Sequence, residues 1–547
     1  MGPAVVPATA RVTLASGVLA PDRFARDAAV VTACTMLSRL TGFARVLIAA
    51  AILSSGLLGD TYFAANFVPN LVFELVAGGV LQAVLLPTFV AARTSGGDAE
   101  LGRTAGAVLG VVLTVLAVIA VVVMAASPLV ARLLVAGEAD QGLADDKLRL
   151  ITPMLIVFVP QVLFYGIGMV STAALAARRR FAAAALAPAV NNLIVIGCYL
   201  GFEAARDGAP ASLDLSGVEF GLLAGGTTLA VVAFTAVPGI VLSVQGVTWR
   251  PRWAPRHPAV VALRHTVGWA MLSVVGTLVP TAAAVVLGYR AEGGVTVFTI
   301  AFAFFVLPHA LVAVPLATTL APRVAEAWQR GDVEHTRSLV NRTAQVVVPL
   351  LMFAGTAMMA LAWPIARVAG WGGEAANQGY APIAHTIAVF GTGLVAYGMV
   401  FVMTRVLFAL DDVKRASLLV AGSAVIGVST MVAATAVISD GERSVALAIG
   451  YSLTQVLAAS MLTLRVRSLT GGPTIATVGR LSVGSAAAAI ASAAAMVPIR
   501  LLFDTGLVGS LLAIGAAGAV GVVVFSVVVT LLIGADPRTL IRQLVRF

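Results

Sequence analysis

Residues 106–126 read GAVLGVVLTVLAVIAVVVMAA. No charge interrupts the run, and it reaches the roughly 20 residues an α-helix needs to cross a bilayer. Similar runs recur along the whole chain. Of 547 residues, 60% are hydrophobic and 11% charged, and the mean hydropathy is +1.00. Soluble domains carry roughly 25% charged residues. The period-2 alternation of a membrane barrel is absent, so helices are left as the way to satisfy backbone polar groups in lipid. The sequence describes an all-α polytopic membrane protein.

Hydropathy places about fourteen spans near 28–52, 62–92, 104–127, 150–173, 181–202, 218–245, 264–289, 295–321, 343–366, 382–408, 416–438, 444–464, 481–501 and 507–533. The stretch 62–92 is the most polar of them, with Pro69, Asn70, Glu74, Gly78 and Gly79. Lysine and arginine crowd into alternate loops, as in ARRR (177–180), RPRWAPRH (250–257) and RVR (465–467). The opposite loops are acidic, as in GEADQGLADDK (137–147). The positive-inside rule then puts both termini in the cytoplasm. Residues 1–27 lack an uninterrupted apolar core and a small-residue cleavage site, so they read as a cytoplasmic tail and not a signal peptide. The net charge of +10 belongs to these loops and does not imply nucleic acid.

Internal repetition organises the spans. MLS occurs at 36–38 and 271–273, LPTFVAARTSGGD (86–98) resembles APRVAEAWQRGD (321–332), and YGIGMVSTAAL (165–175) resembles YGMVFVMTRVL (397–407). The offsets agree to within a few residues. The expected division is an N-lobe at 28–245 (spans 1–6), a basic cytoplasmic linker at 246–263, a C-lobe at 264–464 (spans 7–12), spans 13 and 14 at 481–533, and a cytoplasmic tail at 534–547. Both lobes start from the same side, which makes this a parallel repeat. Such lobes enclose a midplane site that opens to either face, a transporter architecture.

Several chemistries are excluded. There is no GxxxxGK[ST] loop to cradle a nucleotide and no HExxH. Cys34 and Cys198 form no metal or disulfide framework, and the five histidines do not cluster in sequence. His309, inside span 8, reads as a satisfied interior histidine. No carboxylate pair at helical spacing points to an enzyme. Transport energy is left to the membrane potential, the substrate's gradient or a coupling cation that the sequence does not identify; no other cofactor is expected.

The residues that stand out lie in MLSRLTGFARVLIAAA (36–51). An arginine at a bilayer centre costs about 2.5–3.5 kcal/mol on a translocon scale. Arg39 is placed to snorkel towards the cytoplasmic interface. Arg45 lies about 9 Å deeper at 1.5 Å per residue. It either pairs with Glu74 to hold spans 1 and 2 together or binds an anion, for which the planar guanidinium fork is suited. Ser38, Thr41 and Arg45 share one helix face, and such a polar stripe favours a hydrated cavity over lipid. Pro69 removes a helical hydrogen bond to Ala65, and Asn70 is placed to help satisfy the freed backbone. With Gly42, Gly78 and Gly79, Pro69 marks where spans 1 and 2 could bend. Asp60 is expected to cap or flank span 2 at the outer face.

The stretch LSRLTGFARVLIAAAILSSGLLGDTYFAANFVPNLVFELVAGGVLQAVLLPTFV (37–90) resembles the MurJ/MviN family of lipid II flippases, within the MATE-like (MOP) exporter superfamily. Ser38, Arg39, Gly42 and Arg45 meet the family's SR…GxxR pattern, and Asp60, Phe63, Ala64, Phe67, Pro69 and Asn70 meet its DAFxxAFxxPN pattern. The segments ALAARRRFAAAALAPAVNN (174–192) and RVLFALDDVKRA (405–416) are similar to two further family segments. The chain departs from the pattern at Phe73 and at Ala303, where the family commonly has arginine, and at Val46 and Gly78, where it commonly has an acid. The VFELVAGGVL variant resembles high-GC Gram-positive members.

The resemblance implies a lipid II flippase that moves the undecaprenyl-pyrophosphate-linked peptidoglycan precursor from the inner to the outer leaflet of the plasma membrane. It implies substrate contacts at Arg45, Arg39, Ser38, Thr41, Glu74 and Asn70, a lipid-tail groove beside spans 13 and 14, and cell-wall synthesis and division proteins as the class of partner to look for. An inside-negative potential would favour outward movement of an anionic head by about 2.3 kcal/mol per charge per 100 mV. The competing readings are a flippase for another polyprenyl-linked glycan, a cation-coupled drug exporter and a non-transporting envelope scaffold.

Overall fold

Helix α1, Pro21–Leu53, starts ahead of the expected span boundary at 28. Proline at a first helical position costs nothing and pre-sets φ, so the helix runs out past its apolar part. The structure is a computed structural model that describes residues 21–53, 56–77, 80–136, 140–207, 212–371, 380–472 and 475–533. The first twenty residues of the expected N-terminal tail, the tail at 534–547, and the hinge candidates Gly78 and Gly79 lie outside the described residues.

The first half continues with α2 (Leu57–Ala77), α3 (Val80–Ala125), α4 (Ser127–Val135), α5 (Gln141–Phe158), α6 (Gln161–Ala177) and α7 (Ala182–Arg206). It closes with α8 (Gly217–Phe220), which passes through a π-helical turn at Gly221–Gly225 into α9 (Gly226–Val244). The second half holds α10 (Pro258–Gly288), α11 (Gly294–Gln329), α12 (Val333–Ala360), α13 (Ala362–Ala369), α14 (Ala381–Ala409), α15 (Val413–Val437) and α16 (Arg443–Thr470). Two more helices follow, α17 (Ile475–Arg500) and α18 (Leu507–Ile533), which pack on each other.

Among the described residues, thirteen helical stretches are long and apolar enough to cross a membrane, and α2 is not one of them. Asp60, Asn66, Asn70 and Glu74 lower its hydropathy. Its 21 residues still cover about 30 Å, and together with the first arm of α3 it makes the fourteenth crossing, between α1 and the second arm of α3.

Four expected boundaries change. The stretch 62–92 is α2 followed by the first arm of α3, which ends where Gly96 and Gly97 leave helical φ/ψ. The stretch 150–173 is two helices joined at Val159 and Pro160, since the proline withholds a backbone N–H. The stretch 343–366 divides into α12 and α13 at Leu361. The linker expected at 246–263 is helical from Pro258, because His257 Nδ1 caps the helix by accepting from Ala259 N at 3.3 Å.

The packing repeats in register. In the first half α1 packs on α7, α3 on α6, α7 on α9 and α6 on α9. In the second, α10 packs on α15, α12 on α14, α15 on α16 and α14 on α16. Left-handed backbone positions pair in the same way: Gly97 (φ 64) with Gly331 (φ 74), Arg179 (φ 58) with Asp411 (φ 60), and Gly246 (φ 83) with Gly471 (φ 71). A non-glycine residue pays a steric cost at positive φ, so its recurrence at Arg179 and Asp411 marks one turn used twice. All three pairs fall on the same side of the helices, and the halves are parallel repeats rather than inverted ones.

The halves are joined at the start of α10, where Ala259 and Val260 pack on α3, and again on the opposite side. There Leu53, Leu58, Tyr62 and Phe158 share one buried cluster with Val285, Tyr289 and Val295 of the second half. This cluster places α2 against α10 and α11.

Candidate functional site

The polar stripe of α1 meets α7. Asn192, buried on α7, donates from Nδ2 to Ser38 O at 3.2 Å and to Thr41 Oγ1 at 3.3 Å. Thr41 Oγ1 in turn donates to Leu37 O at 2.8 Å. A Cβ on Gly42 would sit 3.2 Å from Asn192 Nδ2. Gly42 therefore lets the two helices approach, and α1 runs through it without a break. A buried amide must be hydrogen-bonded to avoid a desolvation cost, and α1 supplies both acceptors.

Arg45 lies one turn beyond, half-buried. With the neighbouring amide of Asn191 oriented by its partners, Asn191 accepts from Arg45 Nη1 at 3.3 Å and donates to Ala230 O of α9 at 3.2 Å. Among the described residues, neither Arg45 nor Arg39 forms an ion pair. Glu74 is exposed on α2. Arg39 is exposed on α1.

On α2, the helix continues through Pro69. Asn70 Nδ2 donates to Asn66 O at 2.9 Å rather than to Ala65 O, and Asn70 Oδ1 accepts from Tyr165 OH at 3.1 Å. Phe73 lies against the same tyrosine, ring centroids 4.4 Å apart. The position where arginine is common is thus filled by an aromatic contact between α2 and α6. Ala303 is half-buried on α11. One turn and a half further along that helix, His309 is buried between Tyr397 (4.3 Å) and Phe401 (5.3 Å). Its Nδ1 has no hydrogen-bond partner among the described residues, contrary to the satisfied histidine expected.

Asp60 leaves its own helix to cap another. Its Oδ1 accepts from Thr296 N and Thr296 Oγ1, both at 2.8 Å, at the start of α11. The local N-cap of α11 is Gly293, in the left-handed region (φ 75), with no side chain to offer. The first N–H groups of a helix need a partner, and a carboxylate suits the positive end of its dipole. Thr61 Oγ1 and Tyr289 OH are 2.8 Å apart beside it, and Lys147 Nζ lies 5.1 Å from the Tyr289 ring centroid. Behind them Tyr62 OH contacts Thr227 Oγ1 at 2.8 Å and accepts from Tyr199 OH at 2.9 Å. The seam between the halves is closed at this end by α2, α5, α10 and α11.

Sequence reading singled out Ser38, Thr41, Arg45, Asp60 and Asn70 but not their partners Asn191, Asn192, Tyr165 and Thr296. The NN pair that ends ALAPAVNN was a usable signal, since two adjacent amides in an apolar span need acceptors.

Comparison with known proteins shows the family and the fold. The family model described as lipid II flippase MurJ matches residues 49–517. A probable lipid II flippase MurJ of Rhizobium meliloti (strain 1021) is 26% identical over 408 residues, 73% of each chain. The lipid II flippase MurJ of Burkholderia cenocepacia is 25% identical over 393 residues, 70% of this chain and 73% of its own. Among solved structures, a lipid II flippase MurJ in an inward closed conformation superposes with a TM-score of 0.70 at 15% identity, covering 92% of this chain and 98% of that one. An inward-facing multidrug resistance MATE family transporter of the MOP superfamily gives 0.62 at 15% identity, covering 81% and 98%. At these identities the structural likeness shows the fold alone.

Proposed function

The chain belongs to the lipid II flippase MurJ family, and from that premise we propose that it carries lipid II across the plasma membrane by alternating access of its two halves. The observation that carries the proposal is Arg45: a guanidinium on a spanning helix, held by the Asn191 amide, with no carboxylate partner among the described residues. Five N–H donors are available on that side chain, and a pyrophosphate accepts them in bidentate fashion. Arg39, Ser38, Thr41, Asn70 and Glu74 form the surrounding candidate set. Gly42, Pro69 and Asp60 belong to the helices that would move.

In this reading both termini and the basic linker face the cytoplasm, and the Asp60 seam closes the outer side. An electrogenic cycle driven by the membrane potential or by a coupling cation fits an anionic cargo and the absence of a nucleotide loop. The VFELVAGGVL segment supports placing the chain in a high-GC Gram-positive branch, although the relatives above come from Gram-negative bacteria. Contact with cell-wall synthesis and division proteins is a further expectation of the family role.

Two experiments test the function together. The protein should restore growth to a strain depleted of its own lipid II flippase, and the purified protein alone should translocate lipid II in vesicles. Complementation without translocation would assign the chain to an envelope scaffold.

A further inference from the structure

Between the halves, the segment GVTWRPRWAPRH (246–257) does not hang free. It runs along α3 over three glycines one turn apart, Gly102, Gly106 and Gly110. A Cβ on any of them would collide with the backbone carbonyl oxygens of Thr248, Arg250 and Arg252 respectively. Arg252 N donates to Gly106 O at 2.9 Å, tying strap to helix. Extended chain advances about 3.3 Å per residue and helix about 1.5 Å. Two strap residues therefore match four helix residues, as the pairing requires. Trp249 Nε1 donates to Ser243 Oγ at 3.0 Å, which pins the start of the strap to the end of α9.

The strap leaves an open groove of about 460 Å³ against the bundle. Its floor is apolar, with Leu109, Leu113 and Ile167, and its rim carries Ser243, Thr248 and Arg250. Arg250, Arg252 and Arg256 are exposed beside Trp253, itself 63% exposed. None of the three arginines forms an ion pair with a described residue. Further along α3, Val115, Val118, Val121 and Val122 are exposed, as a lipid-facing helix surface requires.

We propose that this groove is a binding site for an anionic glycerophospholipid of the leaflet the linker faces. An acyl chain lies on Leu109, Leu113 and Ile167, and the headgroup phosphate meets Arg250 with Arg252 and Arg256 around it. The exposed tryptophan and unpaired arginines match the composition of a headgroup layer. The glycine seat holds the basic groups at that level.

The test is native mass spectrometry of the full-length protein in detergent with added phosphatidylglycerol, phosphatidylcholine or undecaprenyl pyrophosphate. Wild type should retain phosphatidylglycerol in preference to phosphatidylcholine. The triple variant Arg250→Gln, Arg252→Gln, Arg256→Gln should lose that preference by on the order of tenfold, whereas Arg330→Gln, an arginine outside the strap, should leave it intact. Leu113→Trp keeps every charge and fills the groove floor; it too should reduce retention, which separates a built site from a diffuse basic surface. Equal retention of the two phospholipids by wild type, or undiminished preference in the triple and Leu113→Trp variants, overturns the proposal. So does retention of undecaprenyl pyrophosphate without phosphatidylglycerol that the triple and Leu113→Trp variants both weaken, which would give the groove to the cargo. None of these readouts requires transport, so they stand apart from the flippase reading.

Discussion

Asp60 on α2 accepts two hydrogen bonds from Thr296 on α11, one from the backbone and one from the hydroxyl, each 2.8 Å long. A residue of the first half thereby caps a helix of the second, and the two halves are fastened through a helix end that has no cap of its own. Hydrogen bonds to charged groups are worth about 1.5–3 kcal/mol each, so the two together favour the closed seam by roughly a hundredfold or more.

The seam prediction follows from that geometry. Val295, 1% exposed beside this contact, is the reporter: Val295→Cys should be shielded from a membrane-impermeant maleimide. Adding Asp60→Ala should expose it most. Asp60→Asn should expose it less, because an amide oxygen still accepts. Thr296→Val should have the smallest effect, since the backbone N–H remains. Equal protection in Asp60→Ala and wild type would remove the contact from any gating role.

Topology gives a second prediction. Single cysteines at Arg179 and Asp411, in the repeated turns, should be labelled only after permeabilisation. Cysteines at Asp207 and Asp440 should be labelled in intact cells. Labelling of the first pair from outside would invert the orientation and the positive-inside assignment with it.

At Gly42 the argument is steric. A Cβ there would lie 3.2 Å from Asn192 Nδ2, tight but not impossible. Gly42→Ala should lower the thermal midpoint in detergent, with overpacking costing about 1–3 kcal/mol. Gly42→Leu should impair accumulation. Asn192→Ala removes the clashing amide, so Gly42→Ala should cost less in that background than alone. Additive losses would mean that Gly42 and Asn192 do not share one contact.

The fold was legible because long apolar runs, alternating basic loops and a shared offset all report on the same bilayer crossings. Even the turn pair at Arg179 and Asp411 lies at the offset of the YGIGMVSTAAL and YGMVFVMTRVL match. Helix interruptions were less legible. Pro160 ends one helix while Pro69 is absorbed within another, and only neighbouring packing distinguishes them. Site residues could be named from their polarity in an apolar context, but partners such as Thr296, far from Asp60 in the chain, required the folded halves. The strap on Gly102, Gly106 and Gly110 was hidden for the same reason: the glycines read as ordinary small residues until the linker lies on them.

Arg45 supports the decisive functional prediction. The alternative to an anion contact is an architectural ion pair with Glu74, and the structure instead gives Arg45 the Asn191 amide and leaves Glu74 exposed. An uncompensated buried charge is costly, and removing both members of a real pair should be milder than removing one. Arg45→Ala should therefore abolish lipid II translocation with near-normal membrane levels. Arg45→Lys should recover part of it, since it keeps the charge and loses the bidentate fork. Asn191→Leu should lower translocation without abolishing it, because the guanidinium stays but is no longer steered. Arg45→Ala combined with Glu74→Ala should remain inactive. Restored translocation in that double variant would make Arg45 a structural partner of Glu74. Persistent loss at normal expression, together with weaker retention of undecaprenyl pyrophosphate by Arg45→Ala, assigns it to the cargo.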